Sequence, residues 1–186
     1  MKKLQGGLAA LLLFLTLFTG IGQAAAYEWN MYSSSMQYIA TGQQYSYKSC
    51  GSVKNSAQGH YRLPNTTSAQ TLATWKVGSG NIALDFGDCS TYGITHILSR
   101  HVPEQFIGNI TRTQSFFRPG QSIASIQTLV SDTINANKTQ IAASGYTSSG
   151  TAVYGSWNGN KVKLVIKGGK VITMYPDGWG LGQDLR

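Results

Sequence analysis

The chain has 186 residues, a formal charge of +8 and an isoelectric point near 9.6. Its 15 basic against 7 acidic side chains favour an anionic partner, whether nucleic acid, an envelope polymer or acidic lipid headgroups, without choosing among them. Two cysteines and three histidines at scattered spacing make no zinc motif, and no glycine run matches a phosphate-cradling loop, so neither a resident metal nor a cofactor is expected.

The N-terminus reads as an export leader. Met1-Lys2-Lys3 is basic, Leu8–Phe18 is apolar but short for a membrane span, and Ala24–Ala26 supplies the small residues of a cleavage site. Residues 1–26 are therefore expected to be a signal peptide, with the rest secreted to the periplasm or the exterior and not stably inserted in the membrane. The leader holds two lysines, so the charge falls from +8 to +6. In an oxidising compartment the pair Cys50 and Cys89 is expected to be bridged.

Residues 27–92 are rich in Tyr, Ser, Gln and Thr. "QQYSYKSCG" and "TLATWKV" alternate in polarity and are expected as strands of an N-terminal extension, tied to the remainder by Cys50–Cys89. His60, in "QGHYRLP", reads as a solvated loop residue. Residues 93–186 are expected to form the main domain. "THILSRHV" is a short helix that ends near Val102, because Pro103 disfavours helical geometry in the residue before it. Pro103 is then placed to open a helix over "PEQFIGNI". "TQSFF" is extended and "RPG" a turn. Over Gln121–Asn137, Ile123, Ile126, Leu129, Val130 and Ile134 recur at steps of three and four and predict the best helix of the chain.

The final third changes period. "TAVYGSW", "KVKLVIK" and "KVITMYP" alternate, separated by "NGN" and by Gly168-Gly169, which predicts an antiparallel meander. Helices followed by strands argue an α+β fold, with the helices packed on the meander.

The candidate chemistry sits in two places. On a helix, His101 lies above Ile97 and Leu98 and borders the apolar side, which keeps an imidazole still and near neutrality. His96 aligns with Arg100 on a different flank, a position that more often marks a solvated face. On the last strand, period two puts Thr173 and Tyr175 on one face with Val171, and Ile172 with Met174 on the other. Lys161, Lys163 and Lys167 alternate along the preceding strand. They serve either to discourage edge pairing or to track a phosphodiester backbone.

The order "HILSRHV", "ITR", "SFF", amphipathic helix, lysine-bearing strand and "ITMYP" resembles the ribonuclease-A-like toxin domains at the C-termini of bacterial contact-dependent inhibition and polymorphic toxins. The resemblance covers about Gly93 to Asp177. It implies active-site roles for His101, Arg112, Thr173 and Tyr175, with His96 as a further histidine. It also implies metal-independent cleavage of RNA through the 2′-hydroxyl to a 2′,3′-cyclic phosphate; beside that reaction the row Lys161, Lys163 and Lys167 is expected to contact substrate. A toxin or effector acting as a monomer, with a cognate immunity protein, would follow. The chain departs from the pattern in carrying "AASG" after Ile141 where a tryptophan is expected, and residues 27–92 have no counterpart. Two other readings stand beside it: a ribonuclease of the barnase, EndoU or colicin group on a different sheet topology, and a non-catalytic basic protein binding the cell envelope.

Overall fold

The structure, a computed structural model, describes residues 26–110 and 113–185. The expected leader, but for Ala26, lies outside those residues. Strand β1 (Tyr27–Met31) pairs antiparallel with β2 (Ser35–Tyr38), and β2 with β3 (Gln44–Ser46). Helix α1 (Cys50–Tyr61) is capped by Ser49, whose hydroxyl accepts from the Ser52 N–H at 3.1 Å. Strands β4 (Thr71–Val77) and β5 (Gly80–Asp85) form a hairpin, followed by helix α2 (Gly93–His101) and a single 3-10 turn at Pro103–Gln105. Helix α3 (Ile123–Ala136) opens on Ser122, which accepts from the Ser125 N–H, and runs almost directly into α4 (Lys138–Ser144). Strands β6 (Thr151–Trp157), β7 (Asn160–Lys167), β8 (Lys170–Pro176) and β9 (Leu181–Asp184) complete the chain.

The architecture is α+β. Among the described residues, one sheet has the order β4-β5-β8-β7-β6 and a second the order β3-β2-β1-β9. The expected meander is β6-β7-β8, and its turns fall at Asn158-Gly159 and Gly168-Gly169, all four residues with positive φ, as two-residue hairpins require. Val162, Leu164, Ile166, Val171 and Met174 from its inner face meet Ile97 and Leu98 of α2 and Ile126, Val130 and Ile134 of α3 in the main core. Helix α2 packs against β8, and α3 against β6. The second sheet closes over a smaller core of Trp29, Met31, Met36, Tyr45, Phe106 and Phe116.

Several expectations are corrected. Residues 27–92 are more than an extension, because β4 and β5 are two of the five strands of the main sheet. The helix expected over residues 103–110 is only the 3-10 turn, because Phe106 leaves that path to fill the smaller core and Gly108 turns at φ +77. "SYKSCG" gives one strand residue beyond Tyr45 and then the start of α1, and His60 sits exposed on that helix, not in a loop. On β8 the face assignment shifts. Val165 pairs with Thr173 but Ile166 pairs with Val171, so Ile172 is an extra bulged residue. Val171 therefore turns into the core with Met174, while Thr173 and Tyr175 stay on the other face.

Candidate active site

The expected Cys50–Cys89 disulfide is present, with its Cα atoms 5.9 Å apart, and it anchors the loop that leads into α2. That loop folds tightly. At Gly93, φ is +83 and a Cβ would come within 2.6 Å of the Asp85 carbonyl oxygen, so only glycine fits. Thr95 is fully buried and donates both its N–H and its hydroxyl to the Phe86 carbonyl. Helix α2 is thus fixed at its entry. At its exit, the His101 carbonyl accepts from the Phe117 N–H at 2.9 Å, and the Ser115 hydroxyl donates to the Pro176 carbonyl at 2.8 Å. These bonds hold the end of α2, the extended segment 114–117 and the end of β8 together.

Between them lies a cleft of about 480 Å³ lined by His96, Arg100 and His101 of α2, Gln114 of the extended segment, and Thr173 and Tyr175 of β8. The His101 and Tyr175 rings stack with centroids 5.2 Å apart and planes 27° from parallel. The His96 and His101 rings meet edge-on at 6.5 Å. His96, expected on another flank of α2, also lines the cleft. Its Nδ1 lies 3.3 Å from the Cys89 carbonyl, and the disulfide loop holds the ring at the same opening as His101. Of the five expected catalytic positions, His96, His101, Thr173 and Tyr175 converge; Arg112 lies outside the described residues.

The tautomers follow from the partners. His101 Nδ1 is 2.9 Å from the Ser115 carbonyl, which can only accept, so Nδ1 carries the proton and Nε2 keeps its lone pair. Gln114 Nε2 lies farther from the same nitrogen, at 3.1 Å, with one of its two protons given to the Arg100 carbonyl at 2.7 Å and its Oε1 accepting from Arg100 Nη2 at 3.0 Å, so the shorter Ser115 contact sets the tautomer. The Cys89 carbonyl sets His96 in the same way. No protein partner for either Nε2 occurs among the described residues. His101 is 8% exposed, and burial pushes its pKa down to about 3. The Ser115 bond opposes that shift, and His96 and Arg100 nearby add to it. His96 is also lowered, again by burial first, with Arg100 adding and the Cys89 carbonyl and Asp88 opposing. Both imidazoles are held as neutral bases.

Two features went unread in the sequence. The Arg100 guanidinium lines the cleft, donates to the Asn109 carbonyl and to Gln114, and meets no carboxylate among the described residues. Its spacing from His96 was visible, but not that the shared flank is a cavity wall. Gln114 and Ser115, which orient Arg100 and His101, sit in an extended piece without periodicity. The Thr173 hydroxyl is buried with no hydrogen-bond partner among the described residues, a cost that a ligand's polar atom would remove.

No protein-family model, curated protein or solved structure matches the chain. Of the lysines, Lys163 stands at the cleft edge with Nζ 5.9 Å from the Tyr175 ring centroid. Lys161 is bound to Asp177 at 2.9 Å and lies over Tyr154, while Lys167 is exposed at the far end of β7. Among the described residues no three of His, Cys, Asp and Glu are grouped to hold a metal ion, and no helix is long and apolar enough to cross a membrane.

Proposed function

We propose that the protein is a secreted RNA endonuclease, a toxin or effector, that cleaves by transfer of the phosphodiester to the neighbouring 2′-hydroxyl. The observation carrying this reading is the pair of imidazoles in one cleft, each with Nδ1 bonded to a main-chain carbonyl and Nε2 left as a base, beside a tyrosine and a guanidinium that meets no carboxylate among the described residues. His101 Nε2 takes the 2′-hydroxyl proton, the 2′-oxygen forms its bond to phosphorus, and the bond to the 5′-oxygen breaks. Negative charge builds on the non-bridging oxygens, and Arg100 supplies a preorganised fork of donors for it, alone or with Arg112. The departing 5′-oxygen needs a proton. His96, held neutral with its one ring proton on the Cys89 carbonyl, has none to give, so the Tyr175 hydroxyl, on the ring stacked against His101, is the favoured donor. The orphaned Thr173 hydroxyl bonds the substrate. No step needs a metal.

The export reading is supported by the disulfide and the leader-like N-terminus. The test is incubation of the purified protein with labelled RNA, and with DNA of the same sequence, in EDTA. The expected result is cleavage of the RNA alone. Retarded migration of both polymers without cleavage contradicts the proposal and selects a basic binding protein instead.

A further inference from the structure

The outer face of the meander carries a feature that the cleft chemistry does not use. Tyr154 of β6 pairs in register with Lys163 of β7, and Lys163 pairs with Tyr175 of β8. Directly opposite residues on neighbouring strands project from the same face. Tyr154, Lys163 and Tyr175 therefore form one straight row across three strands, about 10 Å long at the usual strand spacing, ending at the cleft. The next row, Ala152, Val165 and Thr173, is of short side chains and leaves a shallow floor beside it. Helix α3 packs on the opposite face of the sheet, the end of α2 borders the row only at Tyr175, and β6 is the edge strand.

The row has the composition of a single-strand track. Tyr154 is 44% exposed, so its ring is open to a partner. Lys161 Nζ lies 3.9 Å above one face of that ring, which leaves the other face for a base. Lys163 has no carboxylate partner among the described residues and stands between the two tyrosines. Aromatic platforms interleaved with cations bind unpaired strands, because every base has a face to stack and every linkage a charge. A duplex hides its base faces and has no use for such a ring.

We propose that single-stranded RNA leaves the cleft along this row, with a phosphate at Lys163 and a base stacked on Tyr154. The substrate class is then an unpaired strand extending beyond the nucleotides at the scissile bond, and paired RNA is excluded. This rests on the RNA reading of the cleft. The row itself is tested by binding, independently of cleavage.

An end-labelled 2′-O-methyl octanucleotide cannot be cleaved through its 2′-oxygen, and its dissociation constant follows from fluorescence anisotropy. Tyr154→Ala is expected to lower the ratio of octanucleotide to dinucleotide affinity about tenfold, while Tyr154→Phe keeps it, since stacking needs the ring and not the hydroxyl. Lys163→Gln is expected to reduce the slope of log affinity against log salt by about 0.7, and it decides the matter if Tyr154→Ala does not fold. An unchanged ratio in Tyr154→Ala, an unchanged slope in Lys163→Gln, or equal competition by the matching duplex overturns the track. Cleavage of ordinary RNA is assayed on the same preparations. Cleavage with no effect of the variants on binding removes the track and keeps the nuclease; weakened binding without any cleavage keeps the track and removes the nuclease.

Discussion

The cleft and the outer face of the meander are neighbours built on opposite principles. In the cleft, His96 and His101 are each bonded at Nδ1 to a main-chain carbonyl, and Gln114 is committed at both ends to Arg100. A few residues away Lys163 and Lys167 extend from β7 with no ion pair among the described residues. Proton transfer requires one tautomer at one position, and only a packed scaffold supplies that. Attraction of a polyanion requires charge and reach, which flexible lysines provide without fixed geometry.

The sharpest way to break that contrast is to exchange the consequences. His101→Ala is expected to lower RNA cleavage by about 10²- to 10⁴-fold while octanucleotide affinity stays near that of the unaltered protein; gel assays and anisotropy read the two. Equal losses in both would make the imidazole a binding group like the lysines. Next in size is the disulfide. Replacing Cys50 and Cys89 by alanine is expected to cost roughly 3–4 kcal/mol of stability in denaturant titration. It should also depress cleavage further than the fraction of folded protein explains, because the Cys89 carbonyl orients His96.

Acid should separate the two regions as well. His101 has a pKa near 3 when folded against about 6.5 in the open chain, so between those values only the unfolded state holds the extra proton. Stability is therefore expected to fall as pH drops from about 6.5 towards 3, by on the order of a few kcal/mol, with no contribution above that window. Thermal unfolding of His101→Gln should show a flatter acid limb, and an identical limb would contradict the burial argument. The smallest effect is expected on the open face. Lys167→Gln should change cleavage at moderate salt by less than about twofold, a screened surface charge being worth little.

What could be read from the sequence divides along physical lines. The meander and α3 were legible because each buries one continuous face: Val162, Leu164 and Ile166 alternate, and Ile126, Leu129, Val130 and Ile134 form a stripe. Helix α1 was not, because it buries only Val53 and Ala57 and carries Gly51 and Gly59, which leaves no period to see. Strands β4 and β5 join the main sheet through the single pairing of Ala83 with Lys170, a contact about ninety residues apart that local pattern cannot reveal. At the site, alternation placed Thr173 and Tyr175 on one face, although the bulge at Ile172 moved Val171 to the other. His96 and Arg100 share the flank that their spacing predicts, and the Cys89 carbonyl and Gln114 fix them there. Helical geometry predicts which residues share a face; it does not predict which face becomes a cavity wall.

The central claim is that the paired neutral imidazoles of the cleft serve a 2′-hydroxyl nucleophile. Mass spectrometry of the fragments released from a defined single-stranded RNA in EDTA tests it most directly. The expected ends are a 2′,3′-cyclic phosphate on one fragment and a free 5′-hydroxyl on the other, both lost with His101→Ala. Fragments ending in 3′-hydroxyl and 5′-phosphate, or intact RNA, would contradict it.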